Sequence, residues 1–145
     1  MIVNKREEFA DSQVVTATAI GSGGVIDLGA SPTLQDPANG KPLFIVFQVD
    51  EAATAAGAAT VVLSVESDST ANLATSATVH ATTEAIGKAT LVAGYKRILA
   101  LPPGRAYERY LGVRFTVATG PLTAGKFSAF LTSEPQNWVA YPAGS

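Results

Sequence analysis

Apolar and polar residues alternate along most of this chain with a period of two, and turn-forming residues separate the alternating runs. Val15, Ala17 and Ala19 alternate with Thr16 and Thr18. In residues 60–66, Val61, Leu63 and Val65 share one face, and Thr60, Val62, Ser64 and Glu66 share the other. Leu111, Val113, Phe115 and Val117 alternate with Gly112, Arg114 and Thr116. Phe127, Ala129 and Leu131 alternate with Ser128 and Thr132, and Phe130 is the apolar exception on that polar side. Successive strand side chains point to opposite faces, so each run offers one apolar face to a core. Residues 43–49 are nearly continuously apolar, which predicts a strand covered on both faces. A facing sheet would supply one cover, and a neighbouring subunit or the chain's own loop the other.

The breaks between runs are explicit. Asn39-Gly40 suits a tight turn with positive φ, and Pro102-Pro103-Gly104 a turn with proline first and glycine next. Gly120-Pro121 ends another run, and Gly21-Ser22-Gly23-Gly24 predicts a flexible bend. Residues 51–59 are alanine-rich, but Gly57 interrupts them and no apolar stripe forms, so a loop with at most one helical turn is expected. Residues 69–85 are small and polar, with weak strand character at 77–82. There is no linker and no repeat. The pattern predicts a single all-β domain, a jelly-roll-like antiparallel β-sandwich, with residues 1–13 as an N-terminal arm or first edge segment ahead of a sandwich over 14–145.

Composition narrows the function classes. The chain has 145 residues, enough for one core, and 47% of them are hydrophobic, which excludes a disordered chain. Only 15% are charged, a low share for a small domain that must stay apart from its neighbours, which hints at an assembly. The net charge is −2, and Lys5 and Arg6 are cancelled by Glu7 and Glu8, so nucleic acid is not an expected partner. Residues 1–13 are charged and carry no apolar signal core, and no apolar run reaches the roughly 20 residues of a membrane helix, so no membrane partner is expected.

Candidate chemistry is sparse. Without cysteine there is no disulfide framework or thiolate site, and the lone His80 cannot make a zinc site by itself; it reads as a surface or interface histidine. Glu66 with Asp68, and Asp50 with Glu51, offer oxygens for calcium, but they lack the spacing of a calcium loop and read as solvated edge residues. No Gly-x-Ser-x-Gly elbow is present, and nothing singles out a catalytic pair among Glu66, Asp68, Glu84, Glu108 and Glu134. The glycine bend at 21–24 lacks the Lys and Ser/Thr of a phosphate loop. No catalytic, cofactor-binding or metal residue is therefore assigned, and an enzyme is not expected. A glycan-binding or host-attachment module is the alternative, with Tyr95, Tyr107, Tyr110, Trp138 and Tyr141 as platforms, although such aromatics more often anchor packing.

An ordered series of segments carries a resemblance. Phe9-Ala10-Asp11-Ser12-Gln13 leads into residues 14–19; Ile26-Asp27-Leu28-Gly29-Ala30 and Pro42-Leu43-Phe44-Ile45-Val46 follow. Leu91-Val92-Ala93-Gly94 runs into residues 98–102, and then come Glu108-Arg109-Tyr110-Leu111, Thr123-Ala124-Gly125-Lys126-Phe127 and Tyr141-Pro142-Ala143-Gly144. Taken together, from Phe9 to the last residues, the chain resembles the capsid-stabilising cement proteins of tailed bacteriophages, the group typified by the decoration protein of a Bordetella podovirus. It is least similar across 52–59 and 69–86. The resemblance implies a jelly roll that forms homotrimers, is made in the bacterial host cytoplasm, and sits on the outer capsid surface of the virion, bridging subunits of the phage major capsid protein. No functional residue carries over from the family. Burial of an apolar sheet face would trimerise the protein, with Phe44, Val46 and Phe130 as candidates. Asn4, Lys5, Arg6, Glu7 and Glu8, ahead of the first clear run, are the candidate capsid contacts, with a frayed terminus as the other reading. Arg105, Glu108 and Arg109 are candidates for ion pairs, local or between subunits.

Overall fold

The long alternating runs pair with each other, and that pairing organises the chain. The computed structural model describes residues 8–28, 43–74, 77–101 and 107–132. They form ten strands: β1 (Glu8–Val14), β2 (Ala19–Ile20), β3 (Ile26–Asp27), β4 (Phe44–Thr54), β5 (Thr60–Asp68), β6 (Thr78–Thr82), β7 (Ile86–Gly87), β8 (Lys96–Ala100), β9 (Tyr110–Ala118) and β10 (Ala124–Thr132). One sheet has the order β1-β10-β4-β8; the other has β2-β9-β5-β6, with β3 also on β9 and β7 also on β5. Every ladder is antiparallel.

This order is that of a jelly roll. β1 pairs with β10, β2 and β3 with β9, β4 with β8, and β5 with β6. The chain therefore runs as one long double ribbon, from β1 to β5 and back from β6 to β10, wrapped so that alternate rungs fall in opposite sheets. The seams β10·β4 and β9·β5 close the wrap. The fold expected from the sequence is the fold observed.

The apolar faces meet between the sheets. Ile45, Phe47 and Val49 of β4 and Phe127, Ala129 and Leu131 of β10 face Val61, Leu63 and Val65 of β5 and Leu111, Val113 and Phe115 of β9. Phe47, Phe115 and Phe127 form the centre. Their ring centroids lie 5.3 to 5.9 Å apart at tilted and edge-on angles, which the ring quadrupoles favour.

Three segments depart from expectation. The first strand is β1, and residues 14–19 are mostly a crossing. Val14 points outward, Val15 is buried where the chain passes between the sheets, and residues 16–18 bend. The alternation of Val15, Ala17 and Ala19 with threonine mimics a strand, yet Thr18 Oγ1 supplies the pairing itself, accepting from Val117 N and donating to Val117 O. β1 hides its own pattern because Ser12 has φ 45° and the register against β10 shifts there. Next, β4 extends through Thr54 instead of looping from residue 51, since Ala53 N bonds to Leu91 O and Ala53 is buried. Finally, the glycine bend is pinned, not flexible. Gly21 N donates to Val113 O in one sheet, Gly23 N donates to Phe9 O in the other, and Ser22 N donates to Gln13 Oε1. Of the remaining turns, Thr119 and Gly120 take φ 61° and 96° after β9; Asn39-Gly40 and Pro102-Pro103-Gly104 lie outside the described residues.

Candidate functional site

The outward face of the β1-β10-β4-β8 sheet holds the residues expected at a trimer interface. Val46 lies opposite Phe130 on one side and Ile98 on the other, and Phe44 lies opposite Thr132 and Ala100. The register thus brings Phe44, Val46 and Phe130 to one apolar end of that face. Val46 is 0% and Phe130 3% exposed within a single chain, Phe44 is half-buried, and Ile98 is 37% exposed. The apolar run is covered on both faces by one chain alone. A partner meeting this face would touch Ile98 and the rim of Phe44.

The other end of the same face is polar. Asp50 Oδ2 accepts hydrogen bonds from Ser12 Oγ and Ser128 Oγ, and Asp50 Oδ1 accepts from Gln48 Nε2 at 2.9 Å. Glu51 pairs with Lys126 at 3.4 Å. Asp50 thus spends its oxygens tying β1, β10 and β4 together. Of the candidate capsid contacts, Glu8 opens β1 opposite Phe130 and is half-buried; Asn4, Lys5, Arg6 and Glu7 lie outside the described residues.

The outward face of the β2-β9-β5-β6 sheet carries a network that the sequence pattern concealed. Ser64 Oγ donates to Glu66 Oε2 at 2.6 Å, the same oxygen lies 3.2 Å from Arg114 Nε, and Arg114 Nη2 donates to Leu73 O. Leu73 is buried over Gly112, where an added Cβ would come within 2.9 Å of Leu73 Cδ1 and 2.8 Å of Val25 Cγ1. Glu66 is only 5% exposed, and Asp68 is buried as well, with Oδ1 accepting from Ser69 Oγ and Thr70 N. Neither is a solvated edge residue: the loop after β5 folds back over them. The one available signal was that Glu66 and Arg114 stand outward on two runs that pair, where opposite charges attract across strands. Glu66→Gln keeps the shape and removes the charge beside a mostly buried guanidinium. It is expected to cost about 1–3 kcal/mol in urea unfolding, whereas Glu51→Gln on the exposed pair should cost less than about 1 kcal/mol.

Two of the described aromatic candidates, Tyr107 and Tyr95, are packing residues. Tyr107 is 3% exposed, and its ring lies 4.2 Å from that of His80. His80 Nε2 lies 2.6 Å from Ser67 Oγ, which also accepts from Glu108 N. His80 therefore ties edge strand β6 to the approach to β9. Tyr95 packs against the core, and Tyr110 is half-buried beneath the Arg109 guanidinium. Arg109 makes a two-pronged local pair with Asp27 at 3.0 Å. Those hydrogen bonds first, and the carboxylate charge second, hold the guanidinium above its ordinary pKa. Glu108 Oε1 accepts from Thr78 Oγ1. Arg105, Glu134, Trp138 and Tyr141 lie outside the described residues. Among the described residues no group of three or more His, Asp or Glu is placed to hold a metal ion, and no helix is long and apolar enough to cross a membrane.

Comparison with curated proteins finds no match. A protein-family model, Bbp16, matches residues 9–131. That span begins in β1 and ends in β10, so it takes in every rung of the double ribbon. The chain thus belongs to the Bbp16 family, a Bordetella phage protein family.

Proposed function

We propose that this protein is a capsid cement protein: a homotrimer that binds the outer surface of an assembled phage head, bridges major capsid subunits and stiffens the shell without catalysing a reaction. Family membership points to a phage structural protein and a virion component, and the match across the whole jelly roll is the observation that carries the proposal. Jelly rolls recur in viral capsids, which agrees with it without deciding it.

The physics of such a role suits this domain. A ligand that binds only the assembled shell stabilises that shell by mass action. Three copies of one weak contact engage together at high effective concentration, which raises avidity by about 10²- to 10⁴-fold. A domain whose core is locked between two sheets loses little entropy on docking. The low charge of the chain suits surfaces that become covered. Tyr107 is buried and Tyr95 packs against the core, so neither offers a platform for the glycan-binding alternative.

Light scattering coupled to size exclusion tests the trimer. The expected mass is three times the 14.9 kDa of one chain, independent of concentration. A monomer at every concentration would contradict it.

A further inference from the structure

Beside the Glu66–Arg114 network the outward sheet face opens into a cleft of about 210 Å³. Thr18, Ala19 and Ile20 form one wall, Asn72, Leu73 and Ala74 the other, and Arg114 lies between them; Asn72 Oδ1 accepts from Thr70 Oγ1 and Ala74 N. Both walls are held in place. Ile20 pairs with Arg114 in the β2·β9 ladder, and its carbonyl accepts from Gln13 Nε2 at 3.0 Å. Leu73 sits at φ 52°, a region that leucine resists, kept there by its burial and by Arg114 on its carbonyl. The cleft therefore exists before anything enters it.

Its chemistry selects a class of occupant. A guanidinium offers several N–H donors in a fixed fork. Arg114 gives one to Leu73 O and sets Nε beside Glu66 without a hydrogen bond; its other Nη hydrogens have no acceptor among the described residues. The Glu66 carboxylate already balances the charge, so what remains is donor capacity without net charge. A second carboxylate would be repelled by Glu66, whereas a neutral carbonyl oxygen would not. The walls are largely methyl and methylene groups. The volume lies below the roughly 300–1,000 Å³ of small-molecule sites, and it suits one residue of a protein.

We propose that this cleft receives a single protruding residue of the phage shell subunit, its main-chain carbonyl bonded to Arg114 and its small aliphatic side chain against Ala19, Ile20 and Ala74. The assignment rests on the capsid-binding role proposed above and names where on the domain the contact is made.

Co-sedimentation with assembled heads tests it, using the wild-type protein, Ala74→Phe and Arg114→Lys. Ala74 is exposed, so Phe at this position blocks the mouth of the cleft without entering the core; Arg114→Lys keeps the charge and removes the fork. The melting temperature of Ala74→Phe should stay at the wild-type value, which separates a lost contact from a lost fold. Each variant is expected to bind at least about tenfold more weakly, as loss of an anchor residue does. The ratio of wild-type to Ala74→Phe affinity should stay constant as salt is raised, because the contact is neutral. If wild type and Ala74→Phe bind heads equally, the cleft assignment fails and the capsid-binding role stands. If wild type does not bind heads, both fail. If the ratio collapses as salt rises, the occupant is a carboxylate and the neutral-acceptor assignment is overturned.

Discussion

Replacing Phe115 by alanine is expected to lower the unfolding free energy by about 3–5 kcal/mol, the range for a large buried aromatic. Phe115 is fully buried on β9, and its ring lies 5.9 Å from Phe47 on β4 and 5.7 Å from Phe127 on β10. It is the ring through which one sheet touches two strands of the other. Truncating it removes transfer free energy and leaves a cavity that three rigid strands cannot close. A domain of this size has only about 5–15 kcal/mol in total, so the loss is about a fifth of its stability or more. Urea unfolding of wild type and Phe115→Ala would show it as a lower midpoint with an unchanged slope. A change below about 1 kcal/mol would mean that the sheets are not joined at this point.

A nearly equal loss, about 3 kcal/mol, is expected from Gly21→Val or Gly23→Val, because there is no room for a side chain at either position. A Cβ on Gly23 would lie 2.5 Å from Glu8 O, and one on Gly21 would collide with Phe9 O. Both obstacles are backbone, which cannot rotate away. Displacing them breaks the bonds from Gly21 to Val113 and from Gly23 to Phe9, the links by which this bend ties the two sheets. Gly57→Ala is the control: the nearest atom to its added Cβ is 3.8 Å away, and a change within about 0.5 kcal/mol is expected. Similar melting curves for the Gly21, Gly23 and Gly57 variants would show the bend to be loose.

These two regions also mark what the amino-acid order can and cannot reveal. β5, β9 and β10 were legible because apolar residues recur at every second position over most of each strand, which marks the face that packs in the core. β4 was legible in its first half, where apolar residues are continuous, but not at Glu51–Thr54, where alanine and acid carry no period and the pairing to β10 decides the conformation. β1 was hidden by its own bulge at Ser12. The sandwich followed from periodicity, while the jelly-roll order came from resemblance, since the pairing of Gln13 with Phe127 is a property of neither segment alone. The same limit applied to function. Glu66 looks solvated until Arg114, from a distant strand, and Leu73, from the loop that follows β5, are brought over it. Phe44, Val46 and Phe130 do gather on one sheet face, yet Val46 and Phe130 are covered without a second copy.

Sedimentation of the purified protein with assembled heads of its phage, in parallel with unassembled major capsid protein, bears most directly on the proposed role. The bridging role predicts saturable binding to heads, little or none to free capsid protein, and a higher melting temperature of the decorated heads. Equal binding to heads and to free capsid protein, or decoration that leaves head melting unchanged, would contradict it.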